Sequence, residues 1–140
     1  MSKRNQVTFW ALVAVFIVVI SIFFIARELL LGSPFPFLIA SGIALIVLGA
    51  TLIYLTLKEK VRRPSKWFLL ITGASATGIP ISAVLHNVIY GLFIHFFGAN
   101  FWDKVGLSDE PMFFFLAIFI CPLAFLVGAI GSIVLTIRRR

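Results

Sequence analysis

A histidine, an asparagine and a tyrosine set in a long apolar run are the side chains in this sequence best suited to chemistry. Gly78, Ser82, His86 and Tyr90 recur every four residues, with Asn87 beside them. On a helix they form one slanted stripe on which His86 and Tyr90 can meet. Polar groups in such a run cost free energy in lipid and need partners, so His86, Asn87, Tyr90 and Ser82 make a candidate site. Two kinds of role fit them. As a ligand site, the set offers an imidazole to haem or a metal, a hydrogen bond to a quinone, or contacts to a polar lipid head group. As structure, it is an interhelical hydrogen-bond site near a membrane surface, where water helps satisfy the imidazole; this is the leading reading. His95 follows His86 by nine residues, about 180° around a continuous helix. The two histidines therefore cannot hold one metal from one face. No metal set is expected and the cofactor is left open.

Other chemistries find no residues to carry them. None of the apolar spans contains a glutamate or aspartate, the usual coupling group of small four-helix exporters. The sequence has no Cys-x-x-Cys, no His-Glu-x-x-His and no Gly-x-Ser-x-Gly. The stretch Thr72-Gly-Ala-Ser-Ala-Thr-Gly-Ile79 superficially resembles the glycine-rich turn of short-chain dehydrogenases. Thr77 and Ile79 stand where that turn needs its second and third glycines, and no strand-helix-strand context surrounds it. The same residues suit a helix contact, with Ser75 and Thr77 free to bond a neighbouring helix or the carbonyl released by Pro80. Cys121, the single cysteine, reads as a small buried hydrophobe.

The elements that must position these residues follow from composition. Of 140 residues, 61% are hydrophobic and 12% charged, with a mean hydropathy of +1.14. Soluble domains run at about 45 to 50% apolar and about 25% charged, so the chain belongs in a bilayer. A hydrocarbon layer about 30 Å thick takes roughly 20 residues per helix, which leaves room for four spans in a single membrane domain. The spans are expected at about 7–26, 37–57, 67–90 and 112–137. The fold class is thus an all-α integral membrane protein, a four-helix bundle.

The first span has no glycine and many bulky β-branched and aromatic residues, so it is placed on the outside of the bundle. Arg27, Glu28 and Gly32-Ser-Pro-Phe-Pro36 make a short reversal after it. Small residues give the other spans faces for close packing: Gly42 and Gly49 in the second, Gly73 and Gly78 in the third, and Ala124, Gly128 and Ser132 in the fourth. Pro80 removes a backbone donor and is expected to kink the third span, and Pro122 to bend the fourth. The charge-free run from Trp67 to Phe97 is too long for the hydrocarbon. The span is therefore read as ending near Tyr90, with Gly91 to Trp102 lying along the far interface; one steep helix to Phe97 is the alternative.

Charge orients the chain. A net charge of +7 would suggest nucleic acid in a soluble domain, but here the basic residues flank apolar spans, and no nucleic-acid partner is expected. Lys58, Lys60, Arg62, Arg63 and Lys66 form the densest cluster, read chiefly as a topology signal and otherwise as a contact for anionic lipid or an acidic partner. Ten of the twelve basic residues lie at the two termini and in this middle loop. Both termini and the middle loop are accordingly expected in the cytoplasm, and the expected location is the prokaryotic cell membrane.

With no catalytic constellation, enzymatic activity is not expected. The leading expectation is a small multi-pass accessory or structural subunit, its partners the bilayer and other membrane subunits or itself. The alternatives are a binding or redox module built on His86, Asn87 and Tyr90, and a small oligomeric channel or carrier.

Overall fold

The structure, a computed structural model, describes residues 2–25 and 35–138. The expected reversal at Arg27, Glu28 and Gly32 to Pro34 lies outside the described residues, as do Arg139 and Arg140. Among the described residues every regular element is helical: α1 (Lys3–Ile25), α2 (Phe35–Lys58), α3 (Arg63–Phe97), the single turn α4 (Phe101–Lys104), and α5 (Pro111–Ile137). The four long helices each have the length and hydropathy of a membrane span.

The bundle is built around α3, which is flanked by α2 on one side and α5 on the other, with α1 against α2. Lipid tails are as apolar as leucine, so what holds such helices together is close van der Waals contact rather than escape from water. Small residues make that contact possible. At the α2–α3 crossing, a Cβ added to Gly49 would stand 2.7 Å from the Gly73 carbonyl oxygen, and one on Gly73 would stand 2.9 Å from that of Gly49. At the α3–α5 crossing, a Cβ on Gly128 would stand 2.8 Å from the Thr72 backbone nitrogen. Gly78 faces the Cys121 sulfur, whereas Gly42 has only ordinary contact with Pro80. Ser132 is buried on α5, and Ala124 is half-buried.

Helix α1 departs from the expected peripheral role. Asn5, Phe9, Leu12 and Phe16 are all buried, at spacings of four, three and four that put them on one helical stripe. Phe16 stacks on Phe125 of α5 with ring centroids 4.0 Å apart. Bulky side chains interdigitate here in place of backbone approach, so a helix without glycine still enters the core. Its other face, with Val7, Trp10, Ile17 and Val18, is exposed.

Two further features concern the longest spans. α3 is one helix of 35 residues, about 52 Å at 1.5 Å per residue, and it runs through both Pro80 and Gly91 to Phe97. In α5, residues Leu116–Ile120 wind as a π-helix, and the Cys121 N–H donates to the Leu116 carbonyl five residues back. Pro122 follows directly. A proline has no N–H for the carbonyl four residues before it and its ring crowds that carbonyl; one widened turn accommodates both faults.

Candidate functional site

Two polar assemblies close the bundle, one at each end. At the end marked by the start of α5, the loop before that helix folds back over α3. The first backbone N–H groups of a helix have no intrahelical partner. Glu110 serves them: its carboxylate accepts from Met112 N at 2.8 Å and from Phe113 N at 3.0 Å. The neighbouring Asp109 carboxylate accepts from the Glu110 N–H at 2.7 Å, which fixes the loop that presents both acids to α3.

His86 of α3 lies between these acids. Its Nδ1 is 3.0 Å from the Glu110 carbonyl oxygen and 3.3 Å from Glu110 Oε2. Its Nε2 is 3.4 Å from Asp109 Oδ2. Glu110 is only 5% exposed, and the Phe114 ring covers the imidazole at a centroid distance of 5.5 Å. Each nitrogen faces oxygen atoms of the chain itself, so a ring N–H at either position has an acceptor. The carboxylates sit at opposite edges of the ring, so they do not converge with one nitrogen on a common point. Among the described residues no group of three or more His, Cys, Asp or Glu side chains is placed to hold a metal ion.

The remaining residues of the stripe do not join His86. Asn87 is exposed and donates to the Ala83 carbonyl of its own helix at 2.8 Å. Tyr90 turns to α4: its ring stacks on Trp102 at 5.8 Å, and Trp102 Nε1 donates to the Tyr90 carbonyl at 3.3 Å. Ser82 is buried beside Cys121 of α5. His95 is exposed and packs edge-on to Phe96. Thr77 donates to the Gly73 carbonyl at 3.0 Å, bonding within its own turn rather than to another helix or to the carbonyl released by Pro80.

The opposite end carries an assembly that pattern reading had not singled out. Glu59, just past α2, accepts from Ser2 Oγ at 2.5 Å and from Asn5 Nδ2 at 2.6 Å. Asn5 is fully buried, and its Oδ1 lies 3.5 Å from the Thr56 hydroxyl. Arg4 reaches Glu59 only at 4.0 Å. Hydrogen bonds to the charged form, that from Ser2 foremost, hold the Glu59 carboxyl below the ordinary glutamate range. The signal for this staple was an asparagine on the apolar stripe of α1 and one acid within a basic loop.

His86, Asp109 and Glu110 thus tie α3 to the loop before α5, and Ser2, Asn5 and Glu59 tie α1 to the loop after α2. Chemically, both are closed sets of donors and acceptors. No protein family, curated protein or solved structure matches this chain.

Proposed function

We propose that this chain is a non-enzymatic four-span membrane subunit, an accessory or self-associating component of a membrane complex. The observation that carries this reading is the occupancy of His86: both ring nitrogens face carboxylate or carbonyl oxygens of the chain itself. Ligation of haem by His86 would require that it release Asp109 or Glu110. Release from Glu110 would leave a buried carboxylate short of a partner, at a cost of about 1 to 3 kcal/mol. Asn87 and Tyr90 are turned to other contacts, so a quinone or head group would meet His86 alone.

The exposed surface supports a protein that works by contact. Val84, Val88 and Leu92 on α3, and Leu123, Val127 and Ile130 on α5, are exposed apolar residues that suit lipid or a second membrane subunit. In this reading both termini and the loop between α2 and α3 are cytoplasmic, because ten of twelve basic residues are there. The host membrane is the prokaryotic cell membrane. Pro80 and Pro122 bend their helices to follow the bundle.

The test is purification from native membranes in mild detergent, with mass spectrometry of each protein and small molecule that co-elutes and a visible absorption spectrum. The expected result is a stoichiometric protein partner or a homo-oligomer, with no visible band. A lone chain with a bound haem or quinone, lost on His86→Ala, would overturn the proposal.

A further inference from the structure

The densest charge in the molecule lies at the end closed by the Glu59 staple, and the fold leaves it nearly unneutralised. Three chain segments meet there. Hydrogen bonds from Ser2 and Asn5 to Glu59 bring the start of α1 to the loop after α2. The end of α5 comes to the same place, because α5 runs antiparallel to α3 with Gly131 packed on Phe68 and Gly128 on Thr72. Arg4, Lys60, Arg62, Arg63, Lys66 and Arg138 are thereby collected at one end of the bundle, Lys66 half-buried and the others exposed. Of the five acidic residues only Glu59 is in these segments, and it is turned inward to Ser2 and Asn5. Its contact with Arg4, at 4.0 Å, is the one ion pair at this end among the described residues.

We propose that this end is a binding face for anionic phospholipid, with Lys60, Arg62, Arg63 and Lys66 contacting the head-group phosphates of the leaflet it enters. Charge complementarity decides the occupant. The cations flank the ends of helices with the length and hydropathy of membrane spans, and each cation near an anionic surface contributes about five-fold in affinity. Orienting the helices requires only that cations be present on one side. Orientation alone brings the three segments to one side; what the structure adds is that the one local acid, Glu59, is turned inward to Ser2 and Asn5 and leaves the cations to an outside anion. The face is independent of whether the chain joins a larger complex.

The test uses the full chain, reconstituted in vesicles of phosphatidylcholine with one-fifth phosphatidylglycerol, re-extracted in mild detergent and assayed for co-purified lipid by mass spectrometry. The expected result is several-fold enrichment of phosphatidylglycerol over the vesicle ratio. That enrichment should fall to the vesicle ratio when Lys60, Arg62, Arg63 and Lys66 are all changed to Gln, and persist when Lys and Arg are exchanged at the same four positions. On the unaltered protein, extraction in high salt should also abolish it, which decides the matter if the Gln variant does not fold. Lipid at the vesicle ratio in the unaltered protein would overturn the proposal, as would enrichment that survives the Gln changes or high salt. A face reserved for an acidic protein would give the first of these contrary results.

Discussion

Replacing Gly128 by alanine adds one methyl group where α3 and α5 come closest. The new Cβ would stand 2.8 Å from the Thr72 nitrogen and 2.9 Å from the Phe68 carbonyl oxygen, against about 3.4 Å for the start of ordinary contact, a shortfall of about 0.5 Å. Both atoms are backbone, so no rotamer change relieves the clash. The helices must separate, and contacts of the buried residues Leu69, Phe125 and Ala129 along the same crossing loosen with them. Overpacking of this kind costs about 1 to 3 kcal/mol. Against it stands the gain of about 0.5 to 1 kcal/mol for alanine over glycine within a helix. The net expectation is a loss of about 0 to 2.5 kcal/mol, centred on about 1 kcal/mol. Gly91→Ala is the control: it has the same chemistry on α3 with nothing within 4 Å of the added Cβ, so it should be neutral or stabilising by about 0.5 kcal/mol. Reversible unfolding in mixed micelles, followed by far-UV circular dichroism, reads both. If Gly128→Ala were as stable as Gly91→Ala, the close α3–α5 approach would be refuted.

Three further outcomes follow from the same geometry. Gly73→Ala should be destabilising like Gly128→Ala, since its Cβ meets the Gly49 carbonyl oxygen at 2.9 Å; unfolding in the same micelles checks it. The Glu59 carboxyl is held below its ordinary value by Ser2 and Asn5, so its contribution is present above that value and is lost as pH falls through the lower folded value. Stability of the unaltered protein should therefore decline more steeply than that of Glu59→Gln once pH drops below the ordinary glutamate value of 4.5; parallel pH profiles would contradict this. In a background with Cys121→Ser, a cysteine at Ser108 should react with a membrane-impermeant thiol reagent in intact cells, and one at Lys60 only after permeabilisation. The reverse pattern would invert the proposed topology.

Much of the fold is legible in the chain because the bilayer imposes a length and an apolar composition on each span, and four such runs stand out. Small residues mark helix contacts for a related reason: only they allow the backbone approach seen between Gly49 and Gly73. Three features were less legible. Residues in α1 pack by shape rather than by smallness, so the lack of glycine suggested exclusion while Phe9, Leu12 and Phe16 filled the core. Gly91 looked like a place to break α3, but one glycine costs a helix about 1 kcal/mol, and the ring contacts of Tyr90 and Phe93 with Trp102 help seat α4 against the continuing helix. The third concerns His86. A polar residue in an apolar run announces the need for a partner without naming it, and the natural guess is the same helical stripe. Asp109 and Glu110 before Pro111 suit a helix start, and Glu110 does cap one; that they also clasp a side chain 23 and 24 residues away is a property of tertiary packing.

The clasp is the central claim, and a double-mutant cycle between His86→Phe and Glu110→Gln in reversible unfolding tests it most directly. Phenylalanine keeps a ring against Phe114 while removing both nitrogens, and glutamine keeps an oxygen for the α5 amides while removing the charge. If His86 and Glu110 act on each other as the structure has them, the two substitutions together should cost less than the sum of their separate costs, by about 1 to 3 kcal/mol. Strict additivity would mean that the Glu110 carboxylate does not act on His86, and it would leave the imidazole held only by the Glu110 backbone carbonyl and Asp109, contradicting the clasp.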